Sequence, residues 1–344
     1  MSKPPVVSVL MPVYNGERFL SEAIESILNQ TFQEFEFIIV DDGSTDKSWQ
    51  TLQRFASNEL RILLLKNEYN IGVSGSLNKG LKIAQGEYIA LMNADDISLP
   101  GRLAAQVSFL NKNKNIGLVG TFAQKIDGDG NRLEMMRYPV EHNKILWTLC
   151  LDTPFANPTV LLRKYILNSV AGYSEELVAS EDRDLWQRLS SVTQFANLPK
   201  VYLLYRTHDH NISIRYKDIQ AINSAKAGQR MMQTILRHEV PIKICLKIRL
   251  GRIDTVNDAI NFAKLINRLY HAFVSKRNLS AQESRIIRHD AALRLFNLAW
   301  SWKSDNRMHE FFIDALQISP YSSFNELWRK IKYWIFHTFK KASL

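Results

Sequence analysis

Cysteine is scarce in this chain. Only Cys150 and Cys245 occur in 344 residues. They lie far apart and form no Cys-x-x-Cys pair, which excludes a disulfide framework and a zinc knuckle and fits a reducing compartment. Long apolar runs are also missing, since no segment reaches the ~18–20 consecutive apolar residues of a membrane-spanning helix. The opening stretch Val6–Val13 is interrupted by Pro12, follows only Lys3 and runs into Asn15-Gly16, so it does not read as a secretory signal. No Gly-x-Gly-x-x-Gly follows the first strand. Pro12-Val13-Tyr14-Asn15 stands there instead, which argues against a nicotinamide-dependent oxidoreductase. Nor is there a glycine-rich N-terminal loop with a basic residue to hold a nucleoside triphosphate, an internal repeat, or a low-complexity tract. A cytoplasmic protein is expected.

An apolar fraction of 46% and a charged fraction of 23% are ordinary for a globular chain, and the length suffices for one large domain or two smaller ones. The charge is unevenly spread. Residues 1–220 hold 23 Lys and Arg against 25 Asp and Glu, whereas residues 221–344 hold 21 against 9. The basic final third fits nucleic acid, an anionic membrane surface or an anionic acceptor as partner. No nucleic-acid motif is present, and none is expected to bind.

The first ~120 residues alternate strand-like and helix-like segments. Val6–Met11 reads as a buried strand, and the helix after Asn15 carries Leu20, Ile24 and Leu28 on one face. Phe35–Val40 is a second strand ending at Asp41-Asp42-Gly43-Ser44, and Thr45 or Asp46 is placed to cap the helix behind it. Arg61–Leu65 is a third strand, Gly72–Gln85 a helix, and Glu87–Met92 a fourth strand ending at Asn93-Ala94-Asp95-Asp96. Such βα repeats imply an α/β fold with a mostly parallel sheet and helices on both faces. Ligands bind such sheets at the carboxyl ends of the strands, where these polar clusters fall. Residues 127–131 read as a tight turn. An irregular stretch is expected from there to about 215 and a helical region from about 220, so residues 1–220 and 221–344 are taken as two domains.

Each polar cluster has a chemical and a structural reading. Asp95 and Asp96 suit a hard divalent cation that bridges a diphosphate, yet Asp96 also suits a helix cap before Pro100. At Asp41-Asp42-Gly43-Ser44 a carboxylate can accept the N3–H of uracil or thymine, yet Asp-Gly is a turn signal. Asp182 is a candidate general base, yet the pair Glu181-Asp182 also complements a helix N-terminus. In Tyr205-Arg206-Thr207-His208 the Arg can clamp phosphate and the His can ligate a metal, or the run is a plain strand. The basic, aromatic segment 327–336 suits a helix lying on anionic lipid or one packed on the domain.

Taken in order, these segments resemble the family 2 inverting glycosyltransferases of the GT-A fold, of the bacterial polysaccharide-biosynthesis type. The resemblance rests on Val7–Gly16, on Ile39–Asp46, on Asn70-Ile71-Gly72 with Asn78-Lys79-Gly80, on Gly86–Ala90 leading to Asp95-Asp96, and on Ser180–Trp186. It covers about residues 6–215. It implies a nucleotide site at Pro12, Tyr14, Asn15, Asp41, Asp42, Ser44, Asn70, Gly72, Asn78, Asn93, Ala94 and Asp95. It implies Mg²⁺ or Mn²⁺ on Asp95, Asp96 and His208, a diphosphate contact from Arg206, and Asp182 as the base.

The donor implied is a nucleoside-diphosphate sugar, UDP- or dTDP-linked, and the acceptor a glycan or lipid-linked glycan. The basic C-terminus then associates with the inner face of the cytoplasmic membrane. Relatives commonly have Asp where this chain has Asn93, and Arg where it has Leu77. The Gln-x-x-Arg-Trp signature of processive members is absent, which implies addition of a single sugar. A catalytically inert sugar-nucleotide-binding protein is the competing reading.

Overall fold

The buried residues of Val7–Val13 divide by parity. Val7, Val9, Met11 and Val13 join a core with Leu20, Ala23, Ile24 and Ile27 of the first helix and with Leu103, Val107 and Leu110 of a later one. Leu10 points the other way. On that side a Cβ added to Gly80 would lie 3.3 Å from Leu10 Cδ2 and 3.4 Å from Ile38 Cγ2, so another helix packs there at close range. The two-residue period of a strand thus puts helices on both faces of the sheet.

A computed structural model describes residues 4–209, 211, 215–323, 325–327 and 329. The first part runs β1 Val7–Val13, α1 Leu20–Leu28, β2 Phe35–Asp41, α2 Ser48–Ala56, β3 Ile62–Lys66, α3 Gly72–Ile83, β4 Tyr88–Leu91, β5 Ile97–Ser98, α4 Arg102–Lys112, β6 Ile116–Ile126 and β7 Arg132–Met136. It continues with α5 His142–Leu151, a 3-10 turn Asn157–Thr159, β8 Leu161–Arg163, α6 Lys164–Ser169, α7 Glu181–Leu189, β9 Gln194–Arg206 and α8 Lys217–Leu236. The sheet has nine strands in the order β3-β2-β1-β4-β8-β6-β9-β5, with β7 on β6. The sheet is mixed but largely parallel. Among the described residues β5, β7 and β8 run against the rest.

The expected strands and helices up to residue 92 are all present, with ends moved by one to three residues. Asp46 sits one residue ahead of the α2 cap position and accepts from Ser48 N at 2.9 Å. The irregular stretch expected after residue 127 is instead ordered. It holds β7 to β9, and β6 and β9 form the longest parallel pairing of the sheet. A break in its pairing hides β9 in the sequence. Thr121 pairs with Leu198 and Phe122 with Val201, so Pro199 and Lys200 are skipped, as a residue without an N–H requires. The tight turn at 127–131 is as expected. Asp127 Oδ1 accepts from Asp129 N and Asn131 N, both at 2.9 Å.

The chain divides into compact units at Ala227/Gly228, within α8 and seven residues beyond the expected boundary at 220. The second unit continues with α9 Ile242–Leu250, α10 Val256–Ser275, α11 Ala281–Ser301 and α12 His309–Ile318. Ser280 and Glu283 form a capping box at the start of α11. No helix among the described residues is long and apolar enough to cross a membrane. The basic, aromatic segment 327–336 lies outside the described residues except for Leu327 and Arg329. Both cysteines are buried.

The turn into β4 is held from below. Ser8 Oγ donates to Glu36 Oε1 at 2.6 Å and accepts from Gly86 N at 2.8 Å. A Cβ at residue 86 would stand 2.5 Å from Ser8 N, a backbone atom that cannot yield cheaply. Gly86→Ala should therefore lower stability by about 1–3 kcal/mol. An unchanged urea midpoint would show that β4 shifts freely.

Candidate active site

The carboxyl ends of β2, β1 and β4 lie side by side, because Val13 pairs with Asp41 and Leu10 with Leu91. Asp41 closes β2 with a fully buried side chain (0% exposed), and among the described residues neither carboxyl oxygen has a hydrogen-bond partner. Tyr14, just beyond β1, is 44% exposed. A buried acceptor beside an open aromatic ring is suited to a planar ring that carries an N–H. An orphaned polar group of this kind is costly without a ligand.

The neighbouring side chains are used to shape loops. Asp42 Oδ1 accepts from Asn67 Nδ2 at 2.8 Å and from Ile71 N at 2.9 Å, while its Oδ2 accepts from Gly72 N at 2.9 Å. Asn70 Oδ1 also accepts from Gly72 N, at 3.2 Å. Asn15 Oδ1 accepts from Thr45 N at 2.8 Å, and Ser44 Oγ accepts from Asn15 N at 3.0 Å, so the loops after β1 and β2 clasp each other. Gly43 turns this corner at φ +72°, and a Cβ there would lie 2.7 Å from the Tyr69 backbone. Asn78 is placed elsewhere. Its amide makes reciprocal 2.9 Å bonds with the backbone N and O of Tyr173.

At the end of β4 the two aspartates face opposite ways. Asp96 is buried, with Oδ1 accepting from Arg206 N at 2.8 Å and Oδ2 from Asn93 Nδ2 at 3.0 Å. Burial, and then the charge of Asp95, push its carboxyl well above the usual range. Asp95 is 25% exposed. Its Oδ2 lies 3.0 Å from both His208 Nε2 and Asn211 Nδ2. Asn93, expected at the nucleotide, donates to Asp96, a bond that an aspartate there would not supply. Ala94 meets Gly16, which brings the ends of β4 and β1 together.

Arg206, expected at the diphosphate, has a side chain only 3% exposed. Its Nε donates to the Asp95 carbonyl at 2.9 Å and its Nη1 to the Asp127 carbonyl at 3.4 Å, while Nη2 bonds the Glu22 carboxylate. The guanidinium stacks 4.5 Å over the Phe19 ring, whose centroid lies 5.0 Å from that of His208. Arg206 is thus a buried strut.

Asp182 lies in the first turn of α7, where the helix dipole favours acids. Its Oδ1 accepts from Arg183 N at 2.7 Å. Ser180 starts the helix at φ +64° and is fastened by Oγ to the Gln220 carbonyl at 3.0 Å. Burial, and then Asp182, push Glu181 up to about 8. The buried Tyr173 hydroxyl has no partner and is also pushed up, by burial and then by Glu181 and Asp182. Tyr138 is pushed up by burial first, then by the charges of Tyr205, Asp152 and Asp182.

Phe19, Glu22, Asn67, Tyr138 and Asn211 were not expected here. Asn67 and Asn211 act from loops where sequence spacing carries no signal. Phe19 reads as one more apolar position of α1. Among the described residues no group of three His, Cys, Asp or Glu could hold a metal. The closest grouping is Asp95 with His208.

Residues 8–171 match the family described as glycosyl transferase family 2. The chain is 36% identical over 206 residues to an uncharacterized glycosyltransferase of Methanocaldococcus jannaschii, covering 59% of this chain and 71% of the other. This chain belongs to glycosyl transferase family 2. It is also similar to the O-antigen biosynthesis glycosyltransferase WbnJ of Escherichia coli, 32% identical over 209 residues, covering 59% and 80% of the two chains. Two solved structures share the fold of the family 2 chain at low identity. S. aureus TarS 1-349 in complex with UDP-GlcNAc has a TM-score of 0.57 at 20% identity, over 94% of this chain and 91% of that one. The mannosyltransferase PcManGT of Pyrobaculum calidifontis, with GDP-Man and Mn²⁺, has 0.51 at 18%, over 93% and 88%.

Two outcomes are expected of these buried acids. Asp41→Asn should raise the thermal midpoint of the ligand-free chain, since an unpaired buried carboxyl destabilises. A lowered midpoint would mean that Asp41 has a stabilising partner. Glu181 keeps a proton in the folded chain between its ordinary 4.5 and about 8, so its contribution to stability is present at low pH and is lost as pH rises through that window. Glu181→Gln should flatten the decline in melting temperature over this range. An identical decline in both proteins would assign it to other groups.

Proposed function

We propose that this chain transfers one sugar from a nucleoside-diphosphate sugar to an acceptor hydroxyl, with inversion, in the synthesis of a polysaccharide or lipid-linked glycan. The observation that carries the reading is the pairing of an orphaned buried acceptor, Asp41, with a partly exposed Asp95–His208 pair on neighbouring strand ends. The first suits a base N–H and the second a diphosphate. A UDP- or dTDP-linked donor has the ring N–H that Asp41 lacks, and Pro12 and Tyr14 flank Val13, which pairs with Asp41. Asp42, Asn15, Ser44, Asn70 and Gly72 act by holding the loops around it.

The donor set also suits a divalent cation. Octahedral ligands at ~2.1 Å stand about 3 Å apart at right angles, and Asp95 Oδ2 and His208 Nε2 are 3.0 Å apart. These two residues would hold Mg²⁺ or Mn²⁺, which when bound neutralises charge on a leaving diphosphate. Asp96 supports them from behind: through Arg206 N it fixes the strand that brings His208 forward.

Asp182 takes the proton of the acceptor hydroxyl. The freed oxygen bonds to the anomeric carbon from the face opposite the diphosphate, and the bond from that carbon to the phosphate oxygen breaks. Glu181, protonated near neutral pH, keeps a second negative charge away from the base.

A panel of nucleotide sugars, scored for release of nucleoside diphosphate with Mn²⁺ or Mg²⁺, tests the reading. One donor should be turned over. Asp182→Asn should lose roughly 10²–10⁴-fold in turnover with donor binding kept, and Asp95→Ala should abolish the metal dependence. Donor binding without turnover in the unaltered chain, with acceptor glycans supplied, would favour an inert binding protein. Normal turnover by Asp182→Asn would remove Asp182 as the base.

A further inference from the structure

The helical unit carries the basic excess of the chain: residues 228–344 hold 20 Lys and Arg against 9 Asp and Glu. Part of that charge borders two cavities, of about 360 and 530 Å³, which share Asn267 and His271. These residues stand one turn apart on α10, so the cavities are lobes of one groove. Tyr270, Arg288 of α11 and Asp314 of α12 border the first lobe, and Arg268 borders the second.

The polar groups of the groove are unevenly satisfied. The Asp314 carboxylate accepts from Asn267 Nδ2 at 2.5 Å. The Oδ1 of the same amide is buried with no donor. Arg268 bonds His238 Nε2. Arg288 is exposed and engages no partner among the described residues. Among the described residues His271 makes an edge contact with Tyr270, at 5.1 Å. An apolar occupant would leave the Arg288 fork unpaired, which is costly. A phosphate matches that fork. A sugar hydroxyl supplies the donor that Asn267 Oδ1 lacks. The volumes are those of a small-ligand site.

We propose that this groove binds a phosphate-bearing glycan, with the phosphate on Arg288 and His271 and a sugar hydroxyl on Asn267. The choice of a glycan rests on the glycosyltransferase reading, whereas the preference for an anion does not.

The full-length chain is titrated calorimetrically with glucose 1-phosphate, inorganic phosphate and glucose. The Arg288→Gln, His271→Gln and Asp95→Ala forms are treated alike. Both groove residues are exposed, so their substitution spares the core. The expected result is that the unaltered chain and Asp95→Ala bind glucose 1-phosphate equally, that each groove variant binds it at least about ten-fold more weakly, and that glucose alone does not bind. Unchanged binding by the groove variants, or loss confined to Asp95→Ala, would overturn the proposal, because the phosphate then goes elsewhere. Inorganic phosphate binding as tightly as glucose 1-phosphate would overturn the glycan assignment. Groove binding that persists in a chain binding no nucleotide sugar would count against the donor reading and leave the groove standing.

Discussion

The latch between Asp96 and Arg206 sets the geometry of the catalytic unit. A buried carboxyl at the end of β4 accepts the backbone N–H of a residue 110 positions later, whose guanidinium returns to the carbonyl of Asp95. Together with the pairing of β5 on β9, this double tie sets the end of β9 beside the residues that follow β4, where His208 and Asn211 meet Asp95. The latch is buried, so its hydrogen bonds hold both partners in register with little competition from water. Asn93 completes it from one side and the Phe19 ring covers the guanidinium from another.

The same economy recurs where β1 and β2 end. Asp42, Asn15 and Ser44 spend their hydrogen bonds on backbone N–H groups of facing loops. Of the acids on the strand ends, Asp41 is left orphaned and Asp95 stays partly open. Within each Asp-Asp pair the two carboxyls differ in what they bond.

Much of the first 96 residues was legible in the sequence. Buried strands such as Phe35–Asp41 are continuous apolar runs, and α1 shows a clean helical period. The acidic clusters mark where those strands stop. Which partners each aspartate would find was not legible, since Asn67 and Arg206 are distant in sequence. Arg206 was expected at a phosphate and is buried instead, because nothing in Tyr-Arg-Thr-His reveals Glu22 or Phe19 nearby. β8 and β9 escaped notice for local reasons: one has three residues, and the other is broken by Pro199 and Lys200.

The short strand β8 has a consequence for how such a protein can diversify. It is the seam between the β3-β2-β1-β4 block and the β6-β9 block, and it pairs over only Tyr88–Ala90 on one side and Leu118–Val119 on the other. The block carrying Asp41 and Asp95 comes from the first 96 residues, whereas Asp182 and the surfaces around Tyr138 belong to the later part of the chain. So short a seam, reinforced by β5 on β9 and by Asn78 on Tyr173, lets the two blocks drift at different rates. The part holding Asp41 and Asp95 can stay fixed in a lineage while the part around Asp182 is exchanged.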